Sequence, residues 1–204
     1  MRIASLTILC LALAAIPAWA NYENGPINGT TDVWTINFGY IVSDTFVDSG
    51  TVSGFAFGVW LFPGDTLTSV DWSITSDENS GTVYGSGTAS GANLTDKFIS
   101  SNQYGYNIDL ITVTGLSVGL EGGTYWLNLQ NASVASGDPV YWDENSGAGC
   151  QSNGCPSNAS ESALGTIPSE AFTVTTGTVP EPSSVMLFGS GILGLAGLLR
   201  RRLF

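Results

Sequence analysis

Histidine is absent from this 204-residue chain, and basic residues are scarce, with five Lys and Arg against 17 Asp and Glu. Without histidine the chain lacks the commonest general base and the commonest zinc ligand, and every catalytic triad built on histidine is excluded. The formal net charge is −12. Because a surface of this sign repels phosphate backbones, we expect no nucleic-acid partner.

Four of the five basic residues lie at the two ends of the chain, at Arg2 and at positions 200–202, and only Lys97 lies between them. Sixteen of the 17 acidic residues fall in residues 21–178, so this segment has a formal charge of −15. One lysine cannot pair with 16 carboxylates. The segment must therefore be stabilised by apolar burial and backbone hydrogen bonds rather than by salt bridges.

The N-terminus has the three parts of a secretory signal peptide. Arg2 supplies a positive charge, residues 3–16 are apolar, and Ala18-Trp19-Ala20 is typical of a cleavage site. We therefore predict a signal peptide over residues 1–20 and an exported mature chain that begins at Asn21.

The C-terminus, residues 179–204, also has three parts. Pro180, Glu181 and Pro182 come first, an uncharged run of 15 residues follows at 185–199, and three arginines come next. A helix of 15 residues spans about 22 Å, which is short for a hydrocarbon core of about 30 Å. We predict a transmembrane helix over 185–199, with the arginines on the cytoplasmic side and the preceding domain outside.

This tail resembles the PEP-CTERM sorting signal of Gram-negative bacteria. The resemblance implies that a membrane-embedded exosortase recognises Pro180, Glu181 and Pro182 and removes the helix. The protein would then be anchored in the membrane transiently before it reaches the cell surface or the extracellular matrix. The resemblance also implies a structural role in exopolysaccharide or biofilm, because proteins with this signal are associated with that matrix. An ordinary single-pass anchor is the alternative.

Residues 21–178 alternate between apolar and polar side chains in short runs, as at Val70, Trp72 and Ile74, and none of them shows a helical period. We predict strands over 33–42, 52–62, 67–75, 81–86, 97–99, 104–116, 124–130, 140–142 and 170–176, with a long loop over 143–167. Such a series predicts an all-β domain, a single β-sandwich. The immunoglobulin Cys…Trp…Cys spacing is absent, which favours a jelly-roll-like topology.

Cys150 and Cys155 are the cysteines that remain after signal-peptide cleavage, and four residues separate them. In an exported chain this spacing predicts a local disulfide. A structural zinc site is the weaker alternative, because it usually takes four nitrogen or sulfur ligands.

The pentapeptide D-E-N-S-G occurs twice, at 77–81 and at 143–147. Asp77, Asn79, Asp143 and Asn145 offer the oxygen ligands that calcium prefers. The alternative is a pair of strand-to-loop turns, in which Asp and Asn bond to the local backbone and Gly takes a positive φ. The sequence favours turns, because the glycine comes one place too early for a calcium loop and no suitably spaced Glu follows. Calcium stays open as a cofactor.

Two tryptophans lie beside polar groups, Trp126 near Asn128 and Trp142 next to Asp143. A ring face beside amide or carboxylate acceptors is how β-sandwich modules hold sugars, so these four residues are candidates for binding an extracellular polysaccharide. The alternative is that other parts of the domain cover the rings. We expect no enzyme, since Asp143, Glu144 and Glu121 are only three nominees among 16 acids for a glycosidase carboxylate pair.

Overall fold

The computed structural model describes residues 21–177, and Ala20–Gly177 is one compact unit. The predicted signal peptide and the tail from residue 178 onward, with its predicted helix at 185–199, lie outside the described residues. The described part holds eleven strands, one 3₁₀ turn at Gly91–Asn93 and no α-helix, so the prediction of an all-β fold is confirmed. Residues 21–177 contain no helix of the length and hydropathy that crossing a bilayer requires.

The strands are β1 (Tyr22–Glu23), β2 (Asp32–Thr35), β3 (Ile41–Leu61), β4 (Leu67–Asp77), β5 (Ser80–Ser90), β6 (Leu94–Ser101), β7 (Asn107–Val134), β8 (Tyr141–Glu144), β9 (Ala159–Glu161), β10 (Gly165–Ile167) and β11 (Phe172–Gly177). They form one sheet whose main path is β1-β11-β3-β7-β4-β5. β6 pairs with β7, β2 pairs with β8, β9 pairs with β10, and β8 and β9 also pair with β3.

Two very long strands organise this sheet. β3 has 21 residues and β7 has 28, and they pair antiparallel from Ile41 opposite Gln130 to Leu61 opposite Asn107. Register shifts interrupt the pairing at Asp48/Gly50 and Val52/Gly54. Such bulges bend and twist a strand. The first half of β3 lies next to β9, and its second half lies next to β11.

The bend folds the sheet over a shared core, as in a sandwich. Phe55 of β3 and Trp72 of β4 are not partners in the sheet, yet their ring centroids lie 6.1 Å apart. Phe57 meets Trp142 of β8 at 5.9 Å, and Trp142 meets Phe172 of β11 at 5.7 Å. These rings are buried, so apolar burial holds the layers together, as the charge composition requires.

Several predicted strand boundaries are wrong. β3 runs through residues 48–50, which lie between two predicted strands, and β7 runs through Gly122 and Gly123, because bulges and twist absorb these turn-type residues. The predicted strand at 33–42 breaks at Phe38, whose φ is 55° and whose side chain is 63% exposed. The alternation of apolar and polar residues in the sequence therefore extends beyond Thr35, where β2 ends, and overstated the length of the strand.

The predicted long loop over 143–167 contains two short strands. β9 and β10 pair with each other, and β9 extends the sheet beside β3 through Ser160 opposite Ser43. The disulfide predicted in this region is confirmed, since Cys150 and Cys155 are bonded with their Cα atoms 6.0 Å apart.

Two glycines of β3 allow a matched test of this packing. A Cβ at Gly54 would overlap the backbone carbonyl of Val113 in β7, which cannot move aside without breaking the pairing. A Cβ at Gly50 would meet its nearest neighbour, the carbonyl oxygen of Gly177, at 3.6 Å, an ordinary contact. In urea denaturation we expect Gly54→Ala to lower the free energy of unfolding by about 1–3 kcal/mol. Gly50→Ala should change it by less than about 0.5 kcal/mol. Equal effects of the two substitutions would contradict the close approach of β3 and β7.

Candidate functional site

An exposed group of aromatic rings lies where β3 ends and β7 begins. We call Phe62, Tyr104, Tyr106 and Tyr141, with Trp60 beneath them, the aromatic surface. Tyr104 is 57% exposed and stacks on Trp60, with centroids 5.7 Å apart and planes 19° apart. Tyr106 packs edge-on against Phe62 at 5.0 Å and against Tyr141 at 5.8 Å. The rings therefore support one another and still offer exposed faces to solvent.

Hydrogen bonds hold this surface in place. The Asn102 side-chain oxygen accepts the backbone N–H groups of Tyr104 and Tyr106, both at 3.0 Å, and so shapes the turn between β6 and β7. Tyr141 lies opposite Trp60 in the pairing of β8 with β3. The Trp60 Nε1–H donates to Asp143 Oδ1 at 2.6 Å, which fixes the orientation of the buried ring.

Sequence patterns alone did not single out these residues as a site. Tyr104 and Tyr106 stood at the start of a predicted strand, and Phe62 closed another. A usable signal was present, because Phe62 precedes Pro63-Gly64 and the two tyrosines flank Gly105, so all three belong to turns. Large rings in turns have few neighbours to cover them, and exposed aromatic patches often mark contact sites.

The four residues predicted to bind sugar do not come together. Trp142 is fully buried between Phe57 and Phe172, and its Nε1–H donates to the Ala171 carbonyl at 3.1 Å. Stacking on a sugar needs an open ring face, and Trp142 has none in this structure. Trp126 is partly buried on β7, where it pairs with Thr45 and Thr75 rather than lying near Trp142.

The polar members of that set bond within the domain. Asn128 is 2% exposed, and its side-chain oxygen accepts the Asn79 backbone N–H at 3.0 Å. Asp143 is fully buried and accepts three hydrogen bonds, from the backbone N–H groups of Asn28 and Gly29 and from the Trp60 ring. Burial raises the pKa of Asp143, and these donors oppose that shift. Asp143 thus connects the N-terminal segment to the aromatic surface.

The two D-E-N-S-G copies form different turns. In the first, Asn79 and Gly81 have positive φ values of 43° and 75°; in the second, Ser146 and Gly147 have 53° and 75°. Asp77 is exposed at the end of β4, whereas Asn145 is buried and its side-chain oxygen accepts the Gly147 N–H at 2.8 Å. Within residues 21–177, no three His, Cys, Asp or Glu side chains converge in a way that would hold a metal ion.

The three acids nominated for glycoside hydrolysis do not line one groove together. Glu121 lines a groove of about 460 Å³ together with Tyr84 and Tyr125, and it is the only carboxylate among the residues lining that groove. Glu144 is buried and accepts hydrogen bonds from the Trp34 ring N–H at 3.1 Å and the Ser146 hydroxyl at 2.6 Å. A glycosidase needs two carboxyl groups facing one cleft, roughly 5–10 Å apart.

Two further acids, Asp44 and Glu170, are completely buried and did not stand out in the sequence. The backbone N–H of Glu170 donates to Asp44 Oδ2 at 2.7 Å. Burial raises the pKa of Asp44 to about 7. Burial, followed by the neighbouring Asp44, raises the pKa of Glu170 well above its usual value. The burial of Asp44 could have been inferred from the sequence, because Asp44 alternates with Val42 and Phe46 on the core-facing side of β3.

The tail matches a known sorting signal. Residues 178–202 match the PEP-CTERM protein-sorting motif, which confirms the resemblance drawn from Pro180, Glu181 and Pro182. The motif implies processing by an exosortase, and an exported chain that is anchored in the membrane transiently. The match covers the tail and not the β domain. A comparison of the chain with curated proteins finds no match.

The buried Asp109 in β7 predicts a dependence of stability on pH. Burial and the adjacent Asp96 carboxyl raise the pKa of Asp109 to about 7, above its unfolded value of about 4. The folded state therefore binds the extra proton, and stability falls as the pH rises from about 4 to 7. Thermal melts across this range should show that Asp109→Asn flattens the fall, whereas Asp65→Asn, in the β3–β4 loop, leaves it unchanged. A slope unaltered by Asp109→Asn would contradict the raised pKa.

Proposed function

We propose that this chain is a non-enzymatic component of the cell surface or extracellular matrix of a Gram-negative bacterium, associated with exopolysaccharide and delivered by an exosortase. The observation that carries this proposal is the sorting motif at residues 178–202. The order of its parts supports the route. The arginine cluster holds the C-terminal end inside, Pro180-Glu181-Pro182 is presented outside, and removal of the tail releases the domain.

The properties of the domain suit that location. Its disulfide at Cys150–Cys155 fits an oxidising exterior. Its charge of −15 favours solubility and opposes adsorption to anionic lipid and nucleic acid. A non-enzymatic role is supported by the lack of histidine and by the structural hydrogen bonds that occupy Asp143 and Glu144.

Replacement of the sorting residues tests the delivery route. In cells with the exosortase, Pro180→Ala, Glu181→Ala and Pro182→Ala together should keep the chain in the membrane fraction at its full mass after signal-peptide removal. The wild type should appear outside the membrane at a mass lower by its C-terminal segment. Fractionation and intact-mass measurement read out both results.

The paired substitution Ser183→Ala and Ser184→Ala is the matched control, because it changes the same region and leaves Pro-Glu-Pro intact. Release of the triple variant as fully as the wild type would overturn the exosortase route. So would an equal loss of mass in cells that lack the exosortase.

A carbohydrate-binding module, calcium-dependent or not, is the second candidate, and the aromatic surface favours it. Tyr104 and Phe62 are 57% and 37% exposed and are held by fixed neighbours, so little side-chain freedom is lost on binding. Since the domain is strongly acidic, a neutral polysaccharide is the ligand class that these features support.

Truncation of the two exposed rings tests this candidate. Tyr104→Ala with Phe62→Ala should weaken binding to a neutral glycan by about 10-fold or more, since two stacking contacts contribute about 1–3 kcal/mol. Titration calorimetry, with and without calcium, measures the loss, using a glycan first selected on an array. Trp126→Ala is the control and should bind as the wild type does. The lectin hypothesis fails if the array yields no neutral glycan or if the double variant binds unchanged.

A further inference from the structure

The carboxyl groups of Asp44 and Glu170 are buried in the domain without enough hydrogen-bond donors to satisfy their oxygens. Both side chains have no solvent exposure, and Asp44 lies on the same side of β3 as the buried Val42 and Phe46. Three of their four carboxyl oxygens, Asp44 Oδ1 and both Glu170 oxygens, have no hydrogen-bond partner in the described structure. A buried charged oxygen without a partner is strongly unfavourable.

The domain itself offers no positive charge to these oxygens. Lys97 is the only basic residue between positions 21 and 177, and it is exposed on β6. The charged groups that act on Glu170 are all acidic, namely Asp44, Glu144, Asp143 and Asp32. Tyr22, whose phenol lies near Asp44, brings no positive charge either. Either protons or a cation from outside the polypeptide must therefore neutralise the pair.

The neighbours of the pair are hydroxyl and amide groups. The Ser157 hydroxyl contacts the Asp44 carboxyl. The Asn24 side-chain amide donates to the hydroxyls of Ser157 and Ser169 and, at 2.7 Å, to the backbone carbonyl of Glu170. Asn24 thereby holds the Ser157 oxygen beside the Asp44 carboxyl and ties it to the backbone of Glu170. The result is a buried environment of oxygen atoms with a net negative charge.

We propose that Asp44 and Glu170 bind a calcium ion in the interior of the domain. Calcium takes six to eight oxygen ligands, and a carboxylate can bind it in a monodentate or a bidentate manner. The three unpartnered oxygens supply the charged ligands, and the Ser157 hydroxyl, with water, is the candidate to complete the shell. The site adjoins the second D-E-N-S-G turn through the bridge between Glu144 and Glu170, but Asp143 and Asn145 already use their side chains to hold the backbone.

Such an ion would connect distant parts of the chain. Asp44 is in β3, and Glu170 lies 126 residues later, two positions before the last strand, β11. β11 joins β1 to β3 in the sheet, so the ion would fix the edge that carries both ends of the domain. Extracellular calcium-binding modules have dissociation constants of about 10⁻⁴–10⁻³ M, which match the calcium concentrations found outside cells. The domain would thus gain stability once it is exported.

The test uses the exported protein, purified without chelator after signal-peptide removal. Native mass spectrometry of protein equilibrated with excess calcium should find about one calcium per chain, which a chelator removes. Relative to chelator alone, 1 mM free calcium should raise the Tm by about 1–6 °C, as dissociation constants of 10⁻⁴–10⁻³ M require. Asp44→Asn and Glu170→Gln should each abolish the calcium shift. Because these substitutions remove a buried charge, both variants should melt in chelator at or above the wild-type temperature. Asp77→Asn, at the first D-E-N-S-G turn, is the matched control and should keep the full shift.

Three results would overturn the proposal. The first is wild-type protein that carries no calcium and shows no change of Tm with calcium, which would mean that protons neutralise the pair. The second is a shift that survives Asp44→Asn and Glu170→Gln but is lost in Asp77→Asn, which would place the ion at the turn. The third is equal stabilisation by magnesium and calcium in all variants, which would indicate general screening of the acidic surface. If a variant does not fold, the metal content of the wild type still decides.

Discussion

The domain has 16 carboxylates and one lysine, so its structure depends on finding hydrogen-bond donors for the acidic side chains that it buries. Ion pairing is unavailable, so neutral donors must do this. Asp143 accepts three N–H groups, and Glu161 accepts the backbone N–H groups of Ala163 and Leu164. Each of these acids organises a loop, because the backbone donors at Asn28, Gly29, Ala163 and Leu164 lie outside the strands. Asp48 and Asp109 each leave one buried carboxyl oxygen without a partner among the described residues, whereas Asp44 and Glu170 together leave three, so this pair points to a ligand.

The same constraint connects the core to the aromatic surface. Asp143 receives the Trp60 ring N–H on one side and the N-terminal segment at Asn28 and Gly29 on the other. Trp60 in turn supports Tyr104, the most exposed ring of the group. A change at the buried acid would therefore disturb the rings that are open to solvent, although Asp143 has no exposed atom to offer a glycan.

The sequence predicted those features that depend on local chemistry. Alternating residues gave the all-β class, the cysteine spacing gave the disulfide, and the order of charge and apolar residues gave the sorting tail. It could not predict that β3 continues through Asp48 and Gly50, because a bulge and a turn use the same residue types. The sequence also made Trp142 a candidate for an exposed ring, because acidic neighbours normally indicate a surface. In the structure Asp143 and Glu144 are themselves buried, and so is Trp142. Burial of this kind follows from the pairing of β8 with β2 and β3, which no local pattern encodes.

A crystal structure of the exported domain grown with calcium would test the central claim most directly, because long-wavelength anomalous scattering locates calcium independently of the protein atoms. We predict one strong anomalous peak within about 2.3–2.6 Å of oxygens from both Asp44 and Glu170. The account would be contradicted by the absence of a peak at that position together with water molecules, or a direct carboxyl–carboxyl hydrogen bond, satisfying the three oxygens.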